Sequence, residues 1–164
     1  MQTQQPNHII CAVRGGPESR ETVSRAIDLA LESGARLTFF RVLDAEFLNH
    51  ATIGPLSVVY GELRELGQFA MLILRDRAQR RGVRNVDGIV REGNVHRQLR
   101  ELALETHADV LVMGRPTRSP GSNTFKPAEF DAFVAELEKE ASLQVMIVES
   151  TQTPAADSSA GLPG

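Results

Sequence analysis

Five short apolar runs punctuate the chain, none alternating with polar residues and each too brief to be a helix; the segments between them carry apolar residues at helical spacing. The runs are His8–Val13, Leu37–Leu43, Val86–Val90, Val110–Met113 and Val145–Val148. Strands that read as continuous apolar runs are buried on both faces, which is the condition of a parallel sheet sandwiched between helices. The first intervening segment places Val23, Ala26, Ile27, Ala30 and Leu31 on one stripe and stops at Gly34. Burying such a stripe contributes about 5–10 kcal/mol before entropy is counted, so packing rather than propensity holds the helix. Pro17 suits its first position, and Glu18 and Glu21 favour the positive end of its dipole. In the second segment Val59, Leu63, Leu66, Ala70, Ile73 and Leu74 recur at helical spacing up to Gly82; Gly61 and Gly67 are expected to weaken its first half. Asn94 is the expected N-cap of a third helix carrying Val95, Leu99, Leu102 and Ala103, and Phe130, Phe133, Val134, Leu137 and Ala141 stripe a fourth.

Parallel strands need crossover connections, so five strands alternating with four helices predict a doubly wound α/β domain with helices on both faces. The expected organisation is a polar N-terminus over 1–7, the α/β domain over 8–149 and a disordered Ser, Thr, Pro, Ala and Gly tail over 150–164. The formal charge of −3 argues against binding nucleic acid through bulk electrostatics, since phosphate contacts need a basic face. No run approaches the length of a membrane span, and the N-terminus lacks the basic and apolar regions of a signal peptide, so a cytoplasmic protein is expected. A single cysteine, Cys11, excludes an internal disulfide and reads as a small buried hydrophobe.

In a doubly wound sheet, ligands bind beyond the carboxyl ends of the strands where the winding reverses. Two segments meet that description: Arg14–Pro17 after the first strand and Gly114–Phe125 after the fourth. Glycines in the first, Arg14-Gly-Gly-Pro, let backbone N–H groups approach an anion, although a tight strand-to-helix turn needs glycine on steric grounds alone. It faintly resembles the Ser-Gly-Gly-x-Asp-Ser loop of ATP pyrophosphatases, with Arg14 and Glu18 in place of the serine and aspartate. The second is longer than the usual βα connection and holds Arg115 and Arg118 with several hydroxyl side chains, donors suited to phosphate or another anion. Arg75, Arg77, Arg80, Arg81 and Arg84 form the densest basic patch; a solvated helix end accounts for it, with a docking surface for an acidic partner as the alternative. The histidines at 8, 50, 96 and 107 share no metal-binding spacing and read as surface or capping residues. No nucleophile elbow, Walker loop or dinucleotide fingerprint occurs, so no catalytic residue is assigned.

The order of elements, with three local matches, resembles the universal stress protein family. The matches are Ile9-Ile-Cys-Ala-Val-Arg-Gly-Gly-Pro-Glu-Ser19 leading into Ala26-Ile-Asp-Leu-Ala30, Leu37-Thr-Phe-Phe-Arg-Val-Leu-Asp44, and Glu92-Gly-Asn-Val95 through to Ala108-Asp-Val-Leu-Val-Met-Gly114. The similarity covers roughly residues 8–149. It implies a single five-stranded parallel sheet in the order 3-2-1-4-5, related to the adenine-nucleotide hydrolase fold, and a homodimer formed through the last strand, here Val145, Met146, Ile147 and Val148. Some members bind ATP or AMP and others bind no nucleotide. Carried over by position, the adenine-side candidates are Ala12, Arg14 and Val42, and the phosphate-side candidates are Met113, Gly114 and the loop to Ser122, with Arg115, Arg118, Ser119, Gly121 and Ser122; Val13 and Gly15 beside Arg14 complete the ligand-binding candidates.

Arg14 stands where the binders carry an aspartate, and a guanidinium offers no acceptor to an adenine amino group. The family's Gly-x-x-Gly-x9-Gly-Ser loop is also altered: Thr117 stands three residues after Gly114, and Asp131-Ala132 follows Gly121 with nine residues between. The expectation is a regulatory or binding protein of the stress response, non-catalytic and not a standard ATP binder, holding a small anion or nucleotide at the cleft between strands one and four, with a protein partner as a further candidate. The alternative is an ATP- or AMP-binding protein with slow nucleotide hydrolysis.

Overall fold

The computed structural model describes residues 4–14, 19–44, 56–115 and 127–149, with only the backbone of 56–60 and 127. Among them the chain runs β1 (His8–Ala12), α1 (Ser19–Ser33), β2 (Arg36–Leu43), α2 (Leu56–Arg81), β3 (Val86–Glu92), α3 (Val95–Thr106), β4 (Val110–Gly114), α4 (Pro127–Ala141) and β5 (Gln144–Val148). The strands form one parallel sheet in the order β3-β2-β1-β4-β5, as expected. Pro17 and Glu18, the proposed start of α1, fall outside the described residues, as do His50 and the tail over 150–164.

Alternation along each strand divides the core in two. Ile9, Cys11, Leu37, Phe39, Val86, Val110 and Val112 point to one face and are covered by α1 and α2. Ile10, Phe40, Leu111 and Met113 point to the other and pack against α3 and α4 through Leu99, Leu102, Ala103, Phe130, Phe133 and Leu137. Both faces of the central strands are therefore dry, which is why they read as unbroken apolar runs. The helix ends follow local chemistry. Asn94 caps α3, its side chain accepting from the Arg97 N–H at 3.1 Å. Gly34 closes α1 at φ +71°, donating its N–H to the Ala30 carbonyl at 2.9 Å.

α2 departs from the expectation. Gly61 and Gly67 do not break it: the helix is continuous through both. Gly67 lies against β3, with Val90 Cγ1 3.5 Å from where its Cβ would sit. The row facing the sheet is Gly67, Met71, Leu74 and Ala78, whereas Leu66 and Ile73, which share the helical spacing, are 63% and 52% exposed. Gly67 lets the helix lie close to the sheet, and Gly88 on β3 leaves the space into which Met71 fits. Leu31 on α1 likewise leaves the buried stripe at 39% exposure, while Val23, Ala26, Ile27 and Ala30 are buried.

His8 corrects a further expectation. It is not a surface or capping residue but is buried at the start of the central strand, its Nε2 2.8 Å from Thr38 Oγ1. Burial, and secondarily the neighbouring Arg36, holds its pKa below the ordinary imidazole value. Asp109 secures the same end of the sheet, Oδ2 accepting the Asn7 and His8 backbone N–H groups at 2.8 and 3.0 Å.

Candidate functional site

The winding reverses between β1 and β4, whose parallel pairing runs Ile9↔Val110, Ile10↔Leu111 and Cys11↔Val112. Extending that register by three residues sets Arg14 level with Arg115 at the carboxyl edge. Ala12, Val42 and Met113 all pack with the core on the α3/α4 side of the sheet, so the structure gathers the adenine-side pair and the first phosphate-side candidate on one face. Ala12 and Val42 are half-buried and Met113 is buried, while Arg14 and Arg115 are exposed beyond them. Val13 is buried on the opposite face, and its N–H donates to the Phe40 carbonyl at 2.8 Å, carrying the ladder one residue past β1. Gly15, Arg118, Ser119, Gly121 and Ser122 lie outside the described residues.

Two side chains that sequence reasoning missed shape this edge. Thr22 on α1 is buried, and its Oγ1 lies 3.1 Å from the point a Cβ on Gly114 would occupy. Gly114 is thus the residue that lets β4 end directly against α1. A polar residue within the apolar stripe of α1 was the available signal. Glu149, just past β5, accepts from Arg115 Nε at 3.1 Å. The ladder supports that pairing, since the Arg115 N–H also donates to the Val148 carbonyl at 3.0 Å and draws the two chain segments together. Arg115 therefore has a carboxylate beside it, in an exposed ion pair of modest worth.

Cys11 lies directly behind this edge but has no role in ligand chemistry. Its thiol is fully buried, pointing to the Thr22 carbonyl at 4.0 Å, and burial pushes its pKa up to about 12. The basic patch of α2 is not part of the cleft. Arg77 donates to Ser24 Oγ at 3.0 Å and Arg81 to Asp28 at 2.7 Å, fastening the end of α2 to α1, and Arg80 pairs with Asp76 at 2.8 Å. Among the histidines, His96 stacks on Phe133 with ring centroids 4.6 Å apart, and His107 closes α3 in the left-handed region. Chemically, the β1/β4 edge carries two exposed arginines at the ends of strands whose side chains Ala12 and Met113 pack with the core, residue types suited to a ligand with a flat apolar part and an anionic part.

Comparison with known proteins points the same way. The sequence model of the universal stress protein family matches residues 6–125. No curated protein matches the chain. Among solved structures, the universal stress protein UspA from Lactobacillus plantarum superposes with a TM-score of 0.69 at 18% identity, over 89% of this chain and 99% of that one. A universal stress protein family protein from Arabidopsis thaliana with AMP bound gives 0.55 at 16% identity, over 92% and 97%. A universal stress protein in complex with cAMP gives 0.58 at 23% identity, over 90% and 100%. At these identities the structural likenesses establish the fold.

Proposed function

The chain belongs to the universal stress protein family, and from that premise we propose that it is a non-catalytic regulatory module of the stress response, which takes a nucleotide or another phosphate-bearing anion at the β1/β4 edge and binds ATP weakly. The observation that carries this reading is the parallel junction of β1 and β4, which sets Arg14 and Arg115 at its mouth above Ala12, Val42 and Met113. Neighbours of the same fold crystallised with cAMP and with AMP support a nucleotide as the ligand class. Arg14 shapes the preference: it attracts the phosphate, but it lacks the acceptor that an aspartate there would offer to adenine. The reading includes a cytoplasmic site of action and a homodimer paired along the open edge of β5 through Val145–Val148. Among the described residues no helix is long and apolar enough to cross a membrane.

Native mass spectrometry of freshly purified protein, followed by calorimetry with ATP, AMP and cAMP, tests the proposal. The expected result is a millimolar ATP affinity with no phosphate release. Arg14→Asp is expected to tighten adenine-nucleotide binding about 5- to 150-fold, the worth of one recovered hydrogen bond to the base. Micromolar or tighter binding of ATP by the unaltered protein, or measurable turnover, would refute it.

A further inference from the structure

α2 carries a second apolar surface that no other described residue covers. Leu66, Phe69, Leu72 and Ile73 are 63%, 61%, 56% and 52% exposed, on the side of the helix away from the sheet-facing row of Gly67, Met71, Leu74 and Ala78. At about 100 Å² of apolar area per side chain, the four present about 400 Å², the size of patch that marks an interaction site.

The pattern along this face is more specific than its area. Glu62, Leu66, Phe69, Ile73, Asp76 and Arg80 follow one another at intervals of four, three, four, three and four residues, the seam spacing of a helix that packs along another helix. The seam is also self-complementary about its midpoint. Counting outward from Met71, Phe69 is matched by Ile73 two residues away, Glu65 by Arg77 six away, and Glu62 by Arg80 nine away. A two-fold axis crossing the helix at that level sets Glu62 and Glu65 against basic residues of the other copy at both ends, with Phe69 and Ile73 between them; Asp76, five residues out, falls level with Leu66 and pairs within its own chain with Arg80. Isologous interfaces have this reciprocal form.

We propose that α2 is a self-association surface, on which a second copy of this chain packs its own α2 antiparallel. Phe69 and Ile73 interlock with their counterparts, and Glu62 and Glu65 lie against the partner's Arg80 and the partner's Arg77. The apolar residues cover about half of the ~800 Å² that each partner contributes to a standard interface, and the flanking charged side chains supply the remainder. In the single chain Arg77 donates to Ser24 and Arg80 pairs with Asp76, both exposed contacts that exchange at little cost. α2 covers β3 and β2, at the far side of the sheet from β5, so this surface is independent of pairing along the β5 edge.

Sedimentation velocity on the full chain over a concentration series tests the assignment. Phe69→Glu is expected to weaken association at least tenfold, with a melting temperature equal to that of the unaltered protein at concentrations where the latter is monomeric. Two charge variants, Arg77→Glu with Arg80→Glu, and Glu62→Arg with Glu65→Arg, are each expected to weaken self-association about tenfold, whereas an equimolar mixture of the two restores it. Three outcomes overturn the proposal: association indifferent to all three α2 variants, a mixture of charge variants that stays dissociated, or a Phe69→Glu variant that melts lower than the unaltered protein even where both are monomeric, which would mean that the chain's own residues cover the patch. Abolition by an Ile147→Asp change on β5 alone, with the α2 variants behaving as the unaltered protein, belongs to the first of these.

Discussion

Gly88 is the most exacting test of how α2 lies on the sheet. A Cβ built on Gly88 falls 2.7 Å from Met71 Cβ and 3.4 Å from Met71 Cγ, with Arg75 Cδ at 3.5 Å. Carbon atoms in contact sit about 3.5–4.0 Å apart, so Gly88→Ala asks for roughly 1 Å of new space. No rotamer supplies it, because Met71 Cβ is bonded directly to the helix backbone; α2 or β3 must move. Arg75 Nε, buried with no hydrogen-bond partner, marks how tightly this stretch of helix is already pressed down. Overpacking of this kind costs about 1–3 kcal/mol, while replacing a strand glycine by alanine returns up to about 1 kcal/mol through the unfolded chain. The net expectation is a loss of about 1–2 kcal/mol, or about 2–8 °C in a thermal melt of a domain this size. Gly61→Ala is the matched control. That glycine sits in the same helix with nothing within 4 Å of its Cβ position, so the change is expected to raise stability by about 0.5–1 kcal/mol. If Gly88→Ala melts at or above the unaltered protein while Gly61→Ala behaves as expected, the close approach of α2 to β3 is wrong.

Three further outcomes are expected. Glu149→Gln releases Arg115 from an exposed ion pair worth about 0.2–1 kcal/mol, so calorimetry with AMP is expected to show affinity rising about 1.5- to 5-fold; an unchanged or weaker affinity would remove Arg115 from the site. Gly114→Ala drives a methyl to 3.1 Å from Thr22 Oγ1, and Gly114→Ala with Thr22→Ala should melt higher than the single Gly114→Ala variant if that contact is the cause. The depressed pKa of His8 fixes the sign of a pH effect: the folded state binds a proton less readily than the unfolded chain, so this contribution is complete above about pH 6.5 and is lost as pH falls through the lower, folded value. Melting temperatures measured from pH 7.5 to pH 5 should fall less steeply in His8→Gln, and identical slopes would show that His8 binds its proton equally well in the folded and unfolded states.

The layered architecture was legible because the central strands are dry on both faces: no polar residue interrupts Ile9–Val13 or Val110–Met113, and only Thr38, which bonds His8, interrupts Leu37–Phe40. The facing of α2 was not legible, and the reason is physical. Its apolar residues occupy two sides, one for the sheet and one exposed, and periodicity identifies a helix without saying which apolar row is buried. The small residues at 67, 70 and 78 are the better guide, since close packing selects for size rather than hydropathy. His8 escaped for a related reason: polar character suggested the surface, but its place at the start of the central strand, with Thr38 of the neighbouring strand within hydrogen-bond reach, makes burial tolerable. At the carboxyl edge, Ala12, Val42 and Met113 could be named from the resemblance, whereas Glu149 could not. Its pairing with Arg115 exists only because β4 and β5 are neighbours in register, a contact that no local pattern encodes.

The charges at that edge decide what kind of ligand the family fold can take in this chain. An aspartate at the end of β1 would read an adenine base by accepting from it; an arginine there cannot accept, and instead adds positive charge beside a second arginine one strand away. Arg115 is paired with Glu149 in an exposed ion pair, so the positive charge at that edge is balanced in part on the Arg115 side. On the proposed reading, the ligand's binding energy resides in its phosphate rather than its base. AMP is expected to outcompete adenosine by a wide margin, and the advantage should shrink as salt is raised from low ionic strength, since the exposed contacts that create it are screened. Equal affinities for the two, insensitive to salt, would mean that the base is recognised after all and that the arginine at the end of β1 has another task.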